Sequence, residues 1–324
     1  MRVLFIPQPG ILHPWYDDFA AAVSGDHQIV MFDFEKPAAA QFRDVGVVVE
    51  LGGKMGTHEL VDVAIAADVK LWQIMGTGLD HVDVRYFLEK GLPMANTPGQ
   101  FCSVALAEHA LFFMLWFAKK YNENQTNMHE GHFYHPVTEN LETATLGLIG
   151  FGNSGKELAL RAAAMGMRIM AVDVVDLPPD VRESHSVEFF GGPEELDRVL
   201  TESDYVSIHT PLNSSTRNLI GERELGLMKS NSVLINVARG EIVDESALIE
   251  ALRTGQISGA GLDAFATEPL PNEHPFFHLT NVLLTPHTAG GSRGTSRRRG
   301  QAAADNVNRI AQGLDPLYQI TSVE

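Results

Sequence analysis

The chain has 324 residues, which at about 100–200 residues per domain points to two domains. With 44% hydrophobic and 20% charged residues it can bury a sizeable core, and a disordered or collagen-like chain is excluded. A formal charge of −17, from 24 Lys+Arg against 41 Asp+Glu, argues against general binding to phosphate backbones or anionic lipid.

Short apolar runs alternate with helical patterns from the start. Residues 3–6 read as a strand, 15–23 as a helix, 29–32 and 45–49 as strands, 57–67 as a helix capped by Thr57, and 71–75 as a strand. This is the alternation of a parallel sheet covered by helices. A new unit begins near Pro98-Gly99 with a long helix over 103–120, followed by an irregular stretch over 121–143. A second series then runs through a strand at 145–149, a helix at 153–165 and a strand at 168–172. Further strands are predicted at 204–208, 232–237, 258–262 and 281–284, separated by helices near 194–200, 223–228 and 244–253. The last helix, 292–312, has no sheet left to cover in its own unit and is expected to return to the first domain. The expected division is 1–98 plus 291–324 for one domain and 99–290 for the other, and with the chain ending at 324 no appended domain is expected.

The first apolar run is too short for a secretory signal and ends at Pro7, and the longest, 104–118, contains Glu108 and His109 and is too short and polar to span a bilayer. The single cysteine, Cys102, can form neither an internal disulfide nor a cysteine metal cluster, which fits a cytoplasmic protein.

Gly150-Phe151-Gly152-Asn153-Ser154-Gly155 matches the dinucleotide-binding pattern G-x-G-x-x-G. It follows an apolar strand and opens a helix, and Asp173 lies at the end of the next strand. Gly150 permits the tight turn, Gly152 lets backbone approach a pyrophosphate, and Gly155 lets helix and strand pack closely. The helix N-terminus then offers free N–H groups to the phosphates. The Asp173 carboxylate suits the hydroxyls of an adenosine ribose and repels a 2′-phosphate. Val174 and Val175 follow it with no adjacent cation, so NAD is expected over NADP. Arg239, Glu268 and His287 each come just after a predicted strand, at the sheet edge where open α/β sheets bind ligands.

These blocks, taken with Gly76-Thr77-Gly78-Leu79-Asp80-His81-Val82-Asp83, Asn96-Thr97-Pro98, Ala107-Glu108-His109, His209-Thr210-Pro211-Leu212, Asn236-Val237-Ala238-Arg239-Gly240, Gly261-Leu262-Asp263-Ala264-Phe265 and Thr285-Pro286-His287, resemble the D-isomer-specific 2-hydroxyacid dehydrogenases over nearly the whole length. The resemblance implies two doubly wound α/β domains, a flavodoxin-like substrate domain and a Rossmann NAD domain, with an active site in the interdomain cleft. It implies reversible hydride transfer between NAD(H) and a small D-2-hydroxy or 2-oxo acid. Arg239 would bind the substrate carboxylate and polarise the C2 oxygen, His287 would be the acid/base, and Glu268 would orient the imidazole and favour its protonated form. Thr77 and Gly78 would present N–H groups to the carboxylate. Asp263 and Leu106 would meet the nicotinamide, Thr210 and Pro211 would border the adenosine, and Val237, Ala238, Asn153 and Ser154 would complete the cofactor site. The stretch after the long helix is implied to lie at a homodimer contact between NAD domains. Substrate selection is expected from loops near Gly52-Gly53-Lys54-Met55 and Thr77-Gly78.

Some members differ in use, which leaves two alternatives open: a dehydrogenase of an acid other than a 2-hydroxy acid, and a non-enzymatic, corepressor-like NAD sensor. Ser154 stands where an aliphatic residue is usual, Cys102 where Asn is common, and Thr288 where Ile is common. His129, His132 and His135 recur every three residues, but Gly131 and Pro136 break the segment and no metal is expected. Arg297-Arg298-Arg299 reads as a solvated helix face, with an active-site mouth as the sharper reading, and the all-apolar run 111–117 reads as core and interface.

Overall fold

A computed structural model describes residues 1–23 and 25–322, so Ser24 and the last two residues of the 291–324 segment lie outside the described residues. The chain divides into two compact units, Met1–Phe101 with Ser292–Glu324, and Cys102–Gly291.

The first unit is built on strands β1 (Arg2–Ile6), β2 (Gln28–Met31), β3 (Val45–Glu50), β4 (Leu71–Ile74) and β5 (Met94–Ala95). All pairings are parallel, in the order β2-β1-β3-β4-β5, the flavodoxin-like arrangement. Central strands of such a sheet are covered on both faces, which is why β3 and β4 read as near-continuous apolar runs. One face packs on Trp72, Phe87 and Val61, and the other on Phe19 and the C-terminal helix Arg293–Ala311 through Ala303, Ala304 and Val307. That helix is fixed by Asn306, whose side-chain amide donates to Gln73 Oε1 at 2.7 Å and whose side-chain oxygen accepts the Leu317 N–H at 2.7 Å.

The second unit holds β6 (Thr145–Ile149), β7 (Arg168–Val172), β8 (Val187–Gly191), β9 (Tyr205–Ile208), β10 (Val233–Asn236), β11 (Gly259–Leu262) and β12 (Val282–Leu284). The order β12-β11-β10-β9-β6-β7-β8, parallel throughout, is that of a Rossmann sheet with one extra strand. The order reverses between β6 and β9, so a crevice opens beyond their carboxyl ends. Both chain-order series are therefore doubly wound, as the alternation implies.

Elements that the sequence patterns left out are of three kinds. The stretch after the long helix Ser103–Ala118 is not irregular at first, because Tyr121–Glu130 forms a helix. It buries no residue, so it carries no apolar stripe to betray it. β8 is an edge strand of half-exposed residues and lacks the apolar run of its neighbours. The helix Val84–Lys90, capped by the Asp83 carboxylate at the Tyr86 N–H (3.1 Å), buries only Phe87.

Candidate active site

The glycine loop bridges β6 and the helix Asn153–Ala164. Gly150 sits at φ +93°, and a Cβ there would lie 2.7–2.8 Å from the backbone of His209 and Thr210. A Cβ at Gly155 would come within 2.4 Å of the Gly150 carbonyl oxygen, whereas one at Gly152 would project into open space. The helix behind it has no side-chain N-cap, so its first-turn N–H groups face that space uncapped by a side chain. Asp173, at the end of β7, accepts the Phe151 N–H at 2.6 Å and the Val175 N–H at 2.9 Å. Val174 beside it is 82% exposed. Arg182, the next cation along the chain, is taken by Asp176 and by the Leu177 carbonyl. Open space over a glycine turn, a helix N-terminus and a carboxylate at the shoulder together fit the pyrophosphate and ribose of NAD.

Below this loop lies a residue that the sequence reading placed only inside a motif. His209 is buried after β9, its Nε2 2.9 Å from Ser207 Oγ and its Nδ1 3.0 Å from Ser154 Oγ. Burial pushes its pKa down to about 4, so the ring is neutral and its hydrogen bonds are those of an uncharged imidazole. The unusual Ser154 is thus the partner of a buried histidine.

Arg239, Glu268 and His287 converge in the second unit. Asn236 staples the turn after β10, its amide donating to the Arg239 carbonyl at 2.8 Å and its oxygen accepting the Ala238 N–H at 3.0 Å. Gly240 follows, and a Cβ on it would lie 1.9 Å from the Phe265 carbonyl carbon. Only glycine lets the Arg239 turn press on the segment that leads to Glu268. The Glu268 carboxylate accepts the Phe265 N–H at 3.0 Å, and His287 Nδ1 lies 2.9 and 2.8 Å from its two oxygens. A carboxylate facing Nδ1 makes that nitrogen the N–H donor and leaves Nε2 as the nitrogen that exchanges a proton. Burial pushes the Glu268 carboxyl up, but the hydrogen bond and charge of His287, the Phe265 N–H and the Arg239 charge outweigh it and hold it below the usual range. His287 itself sits at φ +54°, a left-handed conformation that a non-glycine residue keeps only when its surroundings hold it.

Those surroundings centre on Asp263. Its Oδ1 accepts the Thr285 hydroxyl at 2.6 Å and the Thr288 N–H at 2.8 Å, and its Oδ2 accepts the Ala289 N–H at 2.8 Å. Since the Thr285 proton goes to Asp263, Thr285 Oγ accepts from His109 Nε2 at 2.9 Å. Burial lowers the pKa of His109, partly opposed by Asp263, in keeping with a neutral donor. Asp263 therefore brackets the turn that carries His287, a task additional to the nicotinamide contact expected of it.

Leu106, Thr210 and Ala238 are partly buried, Val237 is buried, and Pro211 is exposed at the end of β9. In the first unit Thr77 follows β4, donates its hydroxyl to the Thr97 carbonyl at 2.9 Å and accepts from Arg299 Nη2 at 2.9 Å, with Gly78 partly exposed beside it. Of the arginine run, then, Arg299 turns inward while Arg297 and Arg298 are exposed. His129 lies on the helix Tyr121–Glu130, and His132 and His135 follow it on the chain beyond.

A family model described as D-isomer specific 2-hydroxyacid dehydrogenase, NAD binding domain, matches residues 111–289, the stretch that carries the glycine loop, Asp173, Arg239, Glu268 and His287. The chain belongs to the D-isomer specific 2-hydroxyacid dehydrogenases. A glyoxylate reductase of Korarchaeum cryptofilum is 36% identical over 245 residues, covering 74% of this chain and 72% of that protein. A D-3-phosphoglycerate dehydrogenase of Methanocaldococcus jannaschii is 32% identical over 275 residues, 84% of this chain, and the chain spans only 51% of that relative's length. The solved structure of a D-lactate dehydrogenase from Aquifex aeolicus, complexed with NAD and lactic acid, aligns with a TM-score of 0.81 at 27% identity, over 99% of this chain and 100% of that one. As a member of this family, the chain is an NAD-dependent oxidoreductase of small 2-hydroxy acids and their 2-oxo counterparts.

Proposed function

We propose that the reaction runs through Arg239, Glu268 and His287. The observation that carries this is the His287–Glu268 contact of 2.8 Å beside the Arg239 turn. Bound NAD(H) supplies the hydride acceptor or donor at the C2 carbon. During reduction His287 Nε2 gives a proton to the C2 oxygen, and during oxidation it takes one. Glu268 keeps Nδ1 protonated and steadies the imidazolium. The Arg239 guanidinium, planar and always charged, holds the substrate carboxylate and polarises the neighbouring oxygen. In this reading the Thr77 and Gly78 N–H groups receive the same carboxylate, and the 52–55 loop selects the rest of the substrate. Leu106, Asp263, Thr210, Pro211, Val237 and Ala238 border the cofactor. The matched relatives named as glyoxylate reductases favour a compact 2-oxo acid such as glyoxylate. Steady-state assays with a panel of 2-oxo acids and NADH test it, and absence of turnover on every member contradicts it.

We also infer a cytoplasmic homodimer joined through the second unit. Among the described residues, no helix is long and apolar enough to cross a membrane. Phe112, Tyr121, Met128, Phe133, Tyr134 and Val137 are exposed on one contiguous stretch of chain, Tyr134 by 98%, an apolar display that a partner copy would cover.

A further inference from the structure

β3 ends at Glu50, a fully buried carboxylate. Its Oε1 accepts the Trp72 indole N–H at 2.6 Å, and its Oε2 accepts the Met55 N–H at 2.8 Å. The Gly56 N–H is a third donor. Trp72 is itself fully buried, edge-on to Phe87 with ring centroids 5.6 Å apart, so the acid sits in aromatic surroundings. The chain leaves β3 at this side chain and returns to it five residues later. Residues 51–54 thus form a loop whose neck is one carboxylate. On its other side the His81 ring meets the Gly52 carbonyl. His81 is the ionisable side chain whose charge acts on Glu50. Lys54, His58, Glu59, Asp62, Asp80, Asp83, Arg85, Glu89 and Lys90, on the loops and helices around it, are exposed.

We propose that Glu50 is a positioning residue for substrate recognition: its ionised carboxylate sets the shape of the 51–56 loop, which offers Lys54 and Met55 to the substrate. This rests on the reading that the 52–55 loop receives the substrate. Three N–H donors converge on the group, and a charged carboxylate accepts from all three more strongly than a neutral acid does, so the ionised form is the one that grips the loop best. Burial pulls the other way and pushes the carboxyl up to about 7, against the lowering contacts of Trp72, Met55, His81 and Gly56. The grip on the loop therefore loosens as pH falls through the neutral range.

Hydrogen exchange on the full chain, corrected for the intrinsic pH dependence, measures the grip directly. In the wild type, segment 51–57 is expected to be protected at pH 8 and to lose protection about tenfold at pH 6, whereas Glu50→Gln shows the low protection at both. With a 2-oxo acid that the wild type reduces, KM should rise about tenfold from pH 8 to pH 6. In Glu50→Gln, KM should be high and without that rise, while the NADH Kd is retained. Equal loop protection in both proteins at both pH values overturns the proposal, and so does a KM in Glu50→Gln that follows the wild type. Should Glu50→Gln fail to fold, Trp72→Phe keeps the carboxylate and its backbone donors and must keep the pH response of the loop; a wild-type loop indifferent to pH between 6 and 8 then overturns it. A responsive loop in a protein that reduces no 2-oxo acid would contradict the proposed activity and leave the grip itself supported.

Discussion

At the scale of single residues, the chemistry depends on which atoms face each other. Asp173 is the clearest case for cofactor choice. Its carboxylate is tied to the Phe151 and Val175 N–H groups, and Arg182 is occupied by Asp176, so a 2′-phosphate would meet negative charge without a free counter-ion beside it. NADH should exceed NADPH by at least about tenfold in kcat/KM, or about 1.4 kcal/mol, and equal efficiency would contradict this role. Asp173→Ala should mainly raise the KM for NADH. At the acid/base, His287→Ala should lower kcat by about 10²–10⁴-fold while fluorescence titration still shows NADH binding. Arg239→Ala should impair KM and kcat together, because in the proposed reaction the same guanidinium holds the substrate carboxylate and polarises the reacting oxygen. The residue types were legible in the sequence because their motifs are. Their supports were not: nothing in the spacing of Asp263, Thr285 and His109 shows that one carboxylate would bracket the turn of His287.

At the scale of elements, the turns between strands and helices do the positioning. The sequence pattern found the strand–glycine loop–helix unit, since a buried parallel strand and an amphipathic helix both leave strong periodic signals. It could not show that His209 reaches up from the end of β9 to the Ser154 hydroxyl, a contact made by topology between residues 55 apart. Ser154→Ala should weaken NADH binding by about threefold to tenfold, the worth of one buried hydrogen bond, with kcat less affected. Because His209 stays neutral above about pH 4, NADH affinity should carry no inflection from it between pH 5 and 9; isothermal titration across that range checks both points. Gly240 makes the matching case on the catalytic side. Gly240→Ala forces the Arg239 turn away from Phe265, and should cost roughly 1–3 kcal/mol in thermal or denaturant unfolding along with a loss of kcat.

At the scale of the whole molecule, the fold class was legible because alternating apolar runs and helical patterns admit few topologies. What escaped was material without a buried apolar stripe, above all the helix Tyr121–Glu130, which buries no residue. The exposed Phe133, Tyr134 and Val137 that follow it belong to the inferred dimer contact. Light scattering at micromolar concentration should give twice the chain mass, and a monomeric mass would contradict that inference. The central claim, that Glu268 and His287 work as one acid/base unit, is tested most directly by the pH–rate profile of Glu268→Gln beside the wild type. Burial pushes the Glu268 carboxyl up, but the hydrogen bond and charge of His287 outweigh it and hold the group below the usual carboxylate range, and an interaction between two groups acts on both. In the proposed reaction reduction draws its proton from His287, so its rate should fall as pH rises. Without the carboxylate the proton leaves earlier, so the alkaline limb of reduction should move to lower pH in Glu268→Gln, and the acid limb of oxidation with it. Limbs that coincide with those of the wild type would contradict the coupling and remove Glu268 from the proposed catalytic set.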